Sequence, residues 1–155
     1  MDRVFSALLS RLHKDVLKPQ GFRKEGCNFR RFPGDGLGQI INFQKSSWND
    51  DQECRFTINI GIYAEAGEEI QNVKFKEYEC HLRTRTAGLS PRYQGDWWWS
   101  IFPGRDMDKL FEELKQLMEE DVLPFLLETS TRNGLRRQMQ KCHKSPPGRE
   151  TRPLQ

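Results

Sequence analysis

His81, Arg83 and Arg85 stand two residues apart, a spacing that sends all three side chains to one face of an extended chain. Two guanidiniums on one face present forked N–H donors that match a carboxylate or a phosphate. An imidazole beside them would give or take a proton near neutral pH. Thr57 and Asn59 alternate in the same way on a second extended run, and Asn42 and Gln44 on a third. Side by side, these runs make a hydrogen-bonding surface for a protein or an anionic ligand. Trp97-Trp98-Trp99 adds an aromatic edge: either Trp98 alone points outward while Trp97 and Trp99 enter the core, or the reverse. An outward indole is a stacking platform. The candidate binding set is Asn42, Gln44, Asn59, His81, Arg83, Arg85 and Trp98. The competing interpretation is a solvated outer face, which antiparallel sheets commonly have.

Other strings suggest chemistry that their context withdraws. Cys80-His81 pairs a thiol with an imidazole, but neighbours in a strand point to opposite faces and cannot hydrogen-bond. Cys80 is therefore expected to be a buried structural thiol, and no catalytic residue is expected. The four cysteines and three histidines show no two-to-four-residue ligand spacing, so no metal or other cofactor is expected. Gly34-Asp35-Gly36-Leu37-Gly38 is followed by Gln39-Ile40-Ile41-Asn42-Phe43, a strand and not the helix that a phosphate loop needs, which makes it a hairpin turn. Asn49-Asp50-Asp51-Gln52-Glu53 lacks the glycine and distal glutamate of a calcium loop and is a solvated hairpin tip.

Charge divides the 155 residues unevenly. Residues 132–155 carry seven basic side chains and one acid, leaving 18 basic and 21 acidic side chains in residues 1–131. The basicity belongs to the tail, so nucleic acid would bind non-specifically through the tail alone. No run approaches the roughly 18 apolar residues of a membrane span, and the amino terminus lacks a secretory signal. The expectation is a cytoplasmic protein, with no membrane partner and with reduced cysteines.

The elements that must position these residues follow from periodicity. Val4, Phe5, Leu8, Leu9, Leu12, Val16 and Leu17 trace one amphipathic helix, which Pro19 and Gly21 stop. Residues 22–87 then switch to period two, predicting antiparallel strands over 29–32, 39–45, 54–64 and 79–86, with another at 97–102. Residues 64–72 are expected to form a loop. After Pro103-Gly104, Asp106 caps a second amphipathic helix carrying Met107, Leu110, Phe111, Leu114, Leu117, Met118 and Val122. Pro124 is expected to kink or break it, leaving Phe125, Leu126 and Leu127 against the sheet, with Asn133-Gly134 as its end. The predicted fold is α+β: an antiparallel sheet of about five strands flanked by an N-terminal and a C-terminal amphipathic helix. One domain over 1–131 would be followed by a basic tail over 132–155, partly or wholly disordered.

Gly21-Phe22, Phe29-Arg30-Arg31, Ile41-Asn42-Phe43-Gln44-Lys45-Ser46, the run from Phe56 to Tyr63, Cys80-His81-Leu82-Arg83-Thr84-Arg85 and Asp96-Trp97-Trp98 occur in an order that resembles the mainly bacterial family catalogued as domain of unknown function 4304. The resemblance spans residues 4–127 and implies an α+β domain. It brings no activity, cofactor or site residue with it. The functional expectation is therefore a small binding module that uses the polar, aromatic-edged sheet face, as a monomer or weak homodimer. Its rivals are an enzyme on a phosphorylated or nucleotide-like substrate with His81 as acid or base, and nucleic-acid binding through the tail.

Overall fold

A computed structural model of the chain describes residues 1–64, 70–142 and 149–154. Phe5, Leu8, Leu9 and Leu12 recur at three and four residues, so one stripe of the first helix, α1 (Asp2–Leu12), is buried while Asp2, Arg3 and Arg11 face out. A wide π turn (His13–Leu17) and a tight 3-10 turn (Lys18–Gln20) carry it on to Gly21, whose left-handed φ of 89° ends it. A proline ring collides with the carbonyl four residues back, and the widened turn before Pro19 makes room for it.

The C-terminal helix uses the same device. After α2 (Met107–Leu117), whose Asp106 cap accepts the Lys109 N–H at 3.1 Å, a π turn (Met118–Val122) leads into α3 (Leu123–Glu128) with Pro124 in its first turn. Phe125 and Leu126 are buried, whereas Leu127 is 74% exposed and does not meet the sheet as expected. It follows Leu126 by one residue, and a helix turns about 100° in that step.

Among the described residues, seven antiparallel strands make one sheet. Its spatial order is β1 (Arg23–Glu25), β2 (Asn28–Gly34), β3 (Leu37–Lys45), β4 (Cys54–Ala64), β5 (Leu82–Arg85) and β7 (Arg149–Thr151), while β6 (Trp99–Ile101) pairs with the first residues of β4. The α+β class and the terminal helices are as predicted. The two strands beyond the expected five, β1 and β7, have three residues each, too few to display an alternation.

Alternation along β4 divides the sheet into two faces. Phe56, Ile58, Ile60 and Ile62 are fully buried in the main core with Phe29, Phe43, Leu9 and Leu114. On the other face, Gly38 and Gly61 bring the residue 70–80 segment down onto the strands. A Cβ at Gly38 would strike Phe75 Cε1, and one at Gly61 would lie 2.6 Å from Cys80 Sγ. Ile40, Phe75 and Cys80 form a small second core there, with Phe32, Tyr63 and Val73 against it. That cover takes up one half of the outer face.

Past Thr131 the chain continues in a further helix. Residues 132–142 form α4 (Arg132–Cys142), with Leu135 fully buried and Gln138 5% exposed. Asn133-Gly134 lies inside its first turn, where a Cβ on Gly134 would strike the Glu128 carbonyl oxygen. Arg136, Arg137 and Lys141 fall on the wet face. Their number hides the amphipathic period, because the buried stripe of so short a helix needs only Leu135, Gln138 and part of Met139. The Ser145-Pro146-Pro147-Gly148 stretch and most of the expected 64–72 loop lie outside the described residues. Among the described residues, no helix is long and apolar enough to cross a membrane.

Candidate functional site

Register places the polar residues of the outer face in a row. Asn28 of β2 is opposite Asn42 of β3, Asn42 is opposite Asn59 of β4, and Asn59 is opposite Arg85 of β5. The side chains bond along that row. Arg85 Nε donates to Asn59 Oδ1 at 3.0 Å, Asn59 Nδ2 donates to Asn42 Oδ1 at 3.0 Å and to Gln44 Oε1 at 2.9 Å, and Asn42 Nδ2 donates to Asn28 Oδ1 at 2.7 Å. A guanidinium can only donate, so Arg85 fixes which way each amide points, one strand after another. Asp96 closes the far end, accepting from Arg85 Nη1 at 2.5 Å.

Arg83 sits one alternation along the same strand. Glu77, in the covering segment, grips it from the side: Nε donates to Oε1 at 2.9 Å and Nη2 to Oε2 at 3.2 Å. That bond pushes the Arg83 pKa above its ordinary value despite partial burial. The side-on grip leaves Nη1 pointing forward, where Glu150 of β7 accepts at 2.9 Å. Gln44, Asn59, Glu77, Arg83, Arg85 and Glu150 together line a concavity of about 300 Å³.

Of the seven candidate residues, Asn42, Gln44, Asn59 and Arg85 are thus joined by hydrogen bonds, and Arg83 lines the same concavity. Trp98 is half-buried, with the Arg55 and Arg85 guanidinium carbons 5.9 and 6.0 Å from its ring centre. Trp99 stacks on Phe56 at 5.7 Å in the core, while Trp97 stays 40% exposed beside Tyr93. His81 belongs elsewhere. It is 5% exposed, its ring meets Tyr63 at 5.3 Å, and its Nδ1 accepts the Ala64 backbone N–H at 3.0 Å. It is not in the lining of the concavity. Burial pushes the neighbouring Cys80 thiol up, with Glu77 adding to the effect, so the thiolate that a nucleophile needs is suppressed.

Sequence spacing missed Asn28, Glu77, Asp96 and Glu150. Asn28 begins its strand, Glu77 and Asp96 lie in turns, and Glu150 comes from a strand of three residues, so none carried a period to find it by. Among the described residues, no group of three or more His, Cys, Asp or Glu side chains is arranged to hold a metal ion.

The model of one family, the domain of unknown function DUF4304, matches residues 13–128. The chain belongs to this family. The DUF4304 match takes in the strands β1 to β6 and all seven candidate residues, while α4, β7 and Glu150 lie beyond it. Comparison with curated proteins and with solved structures finds no match.

Proposed function

We propose that the protein is a binding module that takes up an extended, acidic segment of a partner protein along β5. One observation carries this reading: the face already holds a carboxylate delivered by an added strand. β7 pairs with β5 in the register Leu82 to Thr151, Arg83 to Glu150 and Thr84 to Arg149, and its glutamate meets the forward edge of Arg83. Strand addition of this kind supplies main-chain hydrogen bonds for affinity and side-chain contacts for specificity.

The two carboxylates on Arg83 have different roles. Glu77 is 13% exposed and bidentate, and so orients the guanidinium; Glu150 is 73% exposed and holds one nitrogen. A pair as exposed as the second is worth only ~0.2–1 kcal/mol, so an incoming carboxylate replaces it at small cost. Glu150, Thr151 and Arg152 are all exposed, which leaves β7 few side-chain contacts. The rival reading, with His81 as acid or base, is disfavoured by the burial of that ring outside the concavity.

The test is a titration of the full chain with a labelled peptide of alternating glutamate and valine. Replacing Arg83 and Arg85 together by alanine should weaken binding about tenfold or more with the fold intact by circular dichroism. Glu150→Gln should strengthen it, because a tethered competitor acts at an effective concentration of about millimolar. Equal binding by the double variant, or by a peptide with glutamine in place of glutamate, defeats the proposal.

A further inference from the structure

A second cluster of arginines, at the far edge of the sheet, differs from the first in what surrounds it. Arg11, Arg55, Arg83, Arg85, Arg92 and Arg105 each form an ion pair with a carboxylate. Arg23, Arg30 and Arg31 line one concavity of about 460 Å³ between the start of β1 and the turn Ile70–Asn72. Among the described residues, no carboxylate lies within ion-pairing distance of any of them.

The local backbone accounts for the convergence. β1 begins at Arg23, opposite Arg30, so that from Arg31 onward β2 runs along the sheet edge through an irregularity that contains Pro33. Arg30 and Arg31 are successive and leave opposite faces of the strand, so at an edge their guanidiniums can reach the same space from two sides. Both are held in place by neutral acceptors. Arg30 Nε and Nη2 donate to the Phe75 carbonyl at 3.1 and 3.0 Å. Arg31 Nε and Nη2 donate to Gln39 Oε1 at 3.0 and 2.8 Å, and its Nη1 donates to the Gln20 carbonyl at 3.0 Å. The Arg31 guanidinium also lies 4.6 Å from the Phe22 ring centre.

Burial makes this costly. Arg30 is 7% exposed, and burial lowers the Arg31 pKa from its ordinary value, with no carboxylate to raise it. Carbonyl and amide oxygens satisfy donors but do not neutralise a desolvated charge. Two oriented cations, one buried and one half-buried, with a third, exposed one at the mouth, make a preorganised anion site, and the N–H groups not spent on Phe75, Gln39 and Gln20 are its donors. We infer that this concavity binds a phosphate dianion, free or as the head of a small monoester, with Arg23, Arg30 and Arg31 as its counter-charges. Three guanidiniums match the charge of about −2 and the several acceptor oxygens of a phosphate better than a single carboxylate does. The volume is that of a small-molecule site, and Phe32 and Pro33 supply an apolar wall for the body of a monoester.

The site is independent of the β5 face, and calorimetry separates the two. The full chain is titrated at low ionic strength with inorganic phosphate and with adenosine 5′-monophosphate. Arg23→Gln/Arg31→Gln should lose about tenfold or more in affinity for both, while Arg83→Ala, toward the opposite edge of the sheet, should bind as the parent does. Arg23→Gln alone changes an exposed side chain, keeps the fold, and should lose about threefold. Equal affinities for the two ligands mark a site for free phosphate; tighter binding of the nucleotide marks one for a monoester. The inference is overturned if the parent binds neither at about 10 mM, if the double variant binds unchanged, if Arg83→Ala loses as much as the double variant, or if only a phosphoserine peptide binds.

Discussion

The amide row across β2, β3 and β4 makes a directional prediction. Asn59 is 6% exposed and takes part in three side-chain hydrogen bonds, accepting from Arg85 and donating to Asn42 and Gln44. Asn59→Leu keeps the branching of the side chain and removes all three. At about 1 kcal/mol net for each bond, less ~1 kcal/mol for the apolar surface that leucine buries there, the loss comes to ~2 kcal/mol, or about 4–8 °C in melting temperature for a chain of this length. Asn59→Asp should cost less than ~1 kcal/mol although it adds a charge. Its carboxylate still accepts from Arg85, and Asn42, Gln44 and Asn28 can each turn their amides over so that the row runs in the opposite sense. Asn28 permits this because it is half-buried at the end of the row. Urea unfolding of the parent and both variants at pH 7 measures the difference. A loss in Asn59→Asp equal to that in Asn59→Leu would refute the idea that Arg85 sets the sense of the row. A loss below ~0.5 kcal/mol in Asn59→Leu would show that the row contributes nothing.

Three further outcomes follow from packing and ionisation. Gly38→Ala places its methyl against the Phe75 ring and should cost ~1–3 kcal/mol; in a double-mutant cycle with Phe75→Leu the pair should couple by about 1 kcal/mol, because the shorter side chain clears the clash. Leu135→Ala should cost ~2–5 kcal/mol and Arg136→Ala less than ~0.5 kcal/mol by urea unfolding, the first being fully buried and the second exposed; equal effects would detach α4 from the core. Burial holds the Cys80 thiol above its ordinary value near 9.0, so the unfolded chain loses that proton first. The stability from this site is full below about pH 9 and falls above it, by at most ~1.4 kcal/mol per pH unit. Cys80→Ala should lack that part of the alkaline slope in urea midpoints, and Cys80 in the folded parent should resist iodoacetamide at pH 8.

Periodicity in the sequence revealed the elements that are long and one-sided. β4 alternates over eleven residues and α1 repeats over three turns, so their buried faces are legible in the sequence. The outer face was legible only in part. Arg83 and Arg85 share it as their spacing requires, and so does Asn59, but the same parity also put His81 there in company with the arginines. What parity does not encode is the cover. Residues 70–80 fold back over Gly38, Gly61 and Tyr63; His81 is buried while Arg83 stays half-exposed in the concavity. Each glycine interrupts a run of larger strand residues, and a glycine inside a strand marks a close approach by other chain. That signal was present in Gly38 and Gly61, without a way to say what approached.

Charge was the most misleading quantity, for a physical reason. The sum over residues 1–131 is acidic, which argues against a basic surface on the folded body, yet charges act over a Debye length of about 8–10 Å and not over a chain. Arg85 and Asp96, 2.5 Å apart, largely cancel each other at that range, and so do the carboxylates on Arg83 and Arg92. Cancellation removes the acidic excess from the places where it is paired. It leaves Arg23, Arg30 and Arg31 to set the potential at their own edge of the sheet. A body with more acids than bases thus carries a concavity of three arginines with no carboxylate in its lining, at the edge of the sheet opposite the acid-paired arginines of β5. An anion approaching the molecule is steered by that local field and not by the sum.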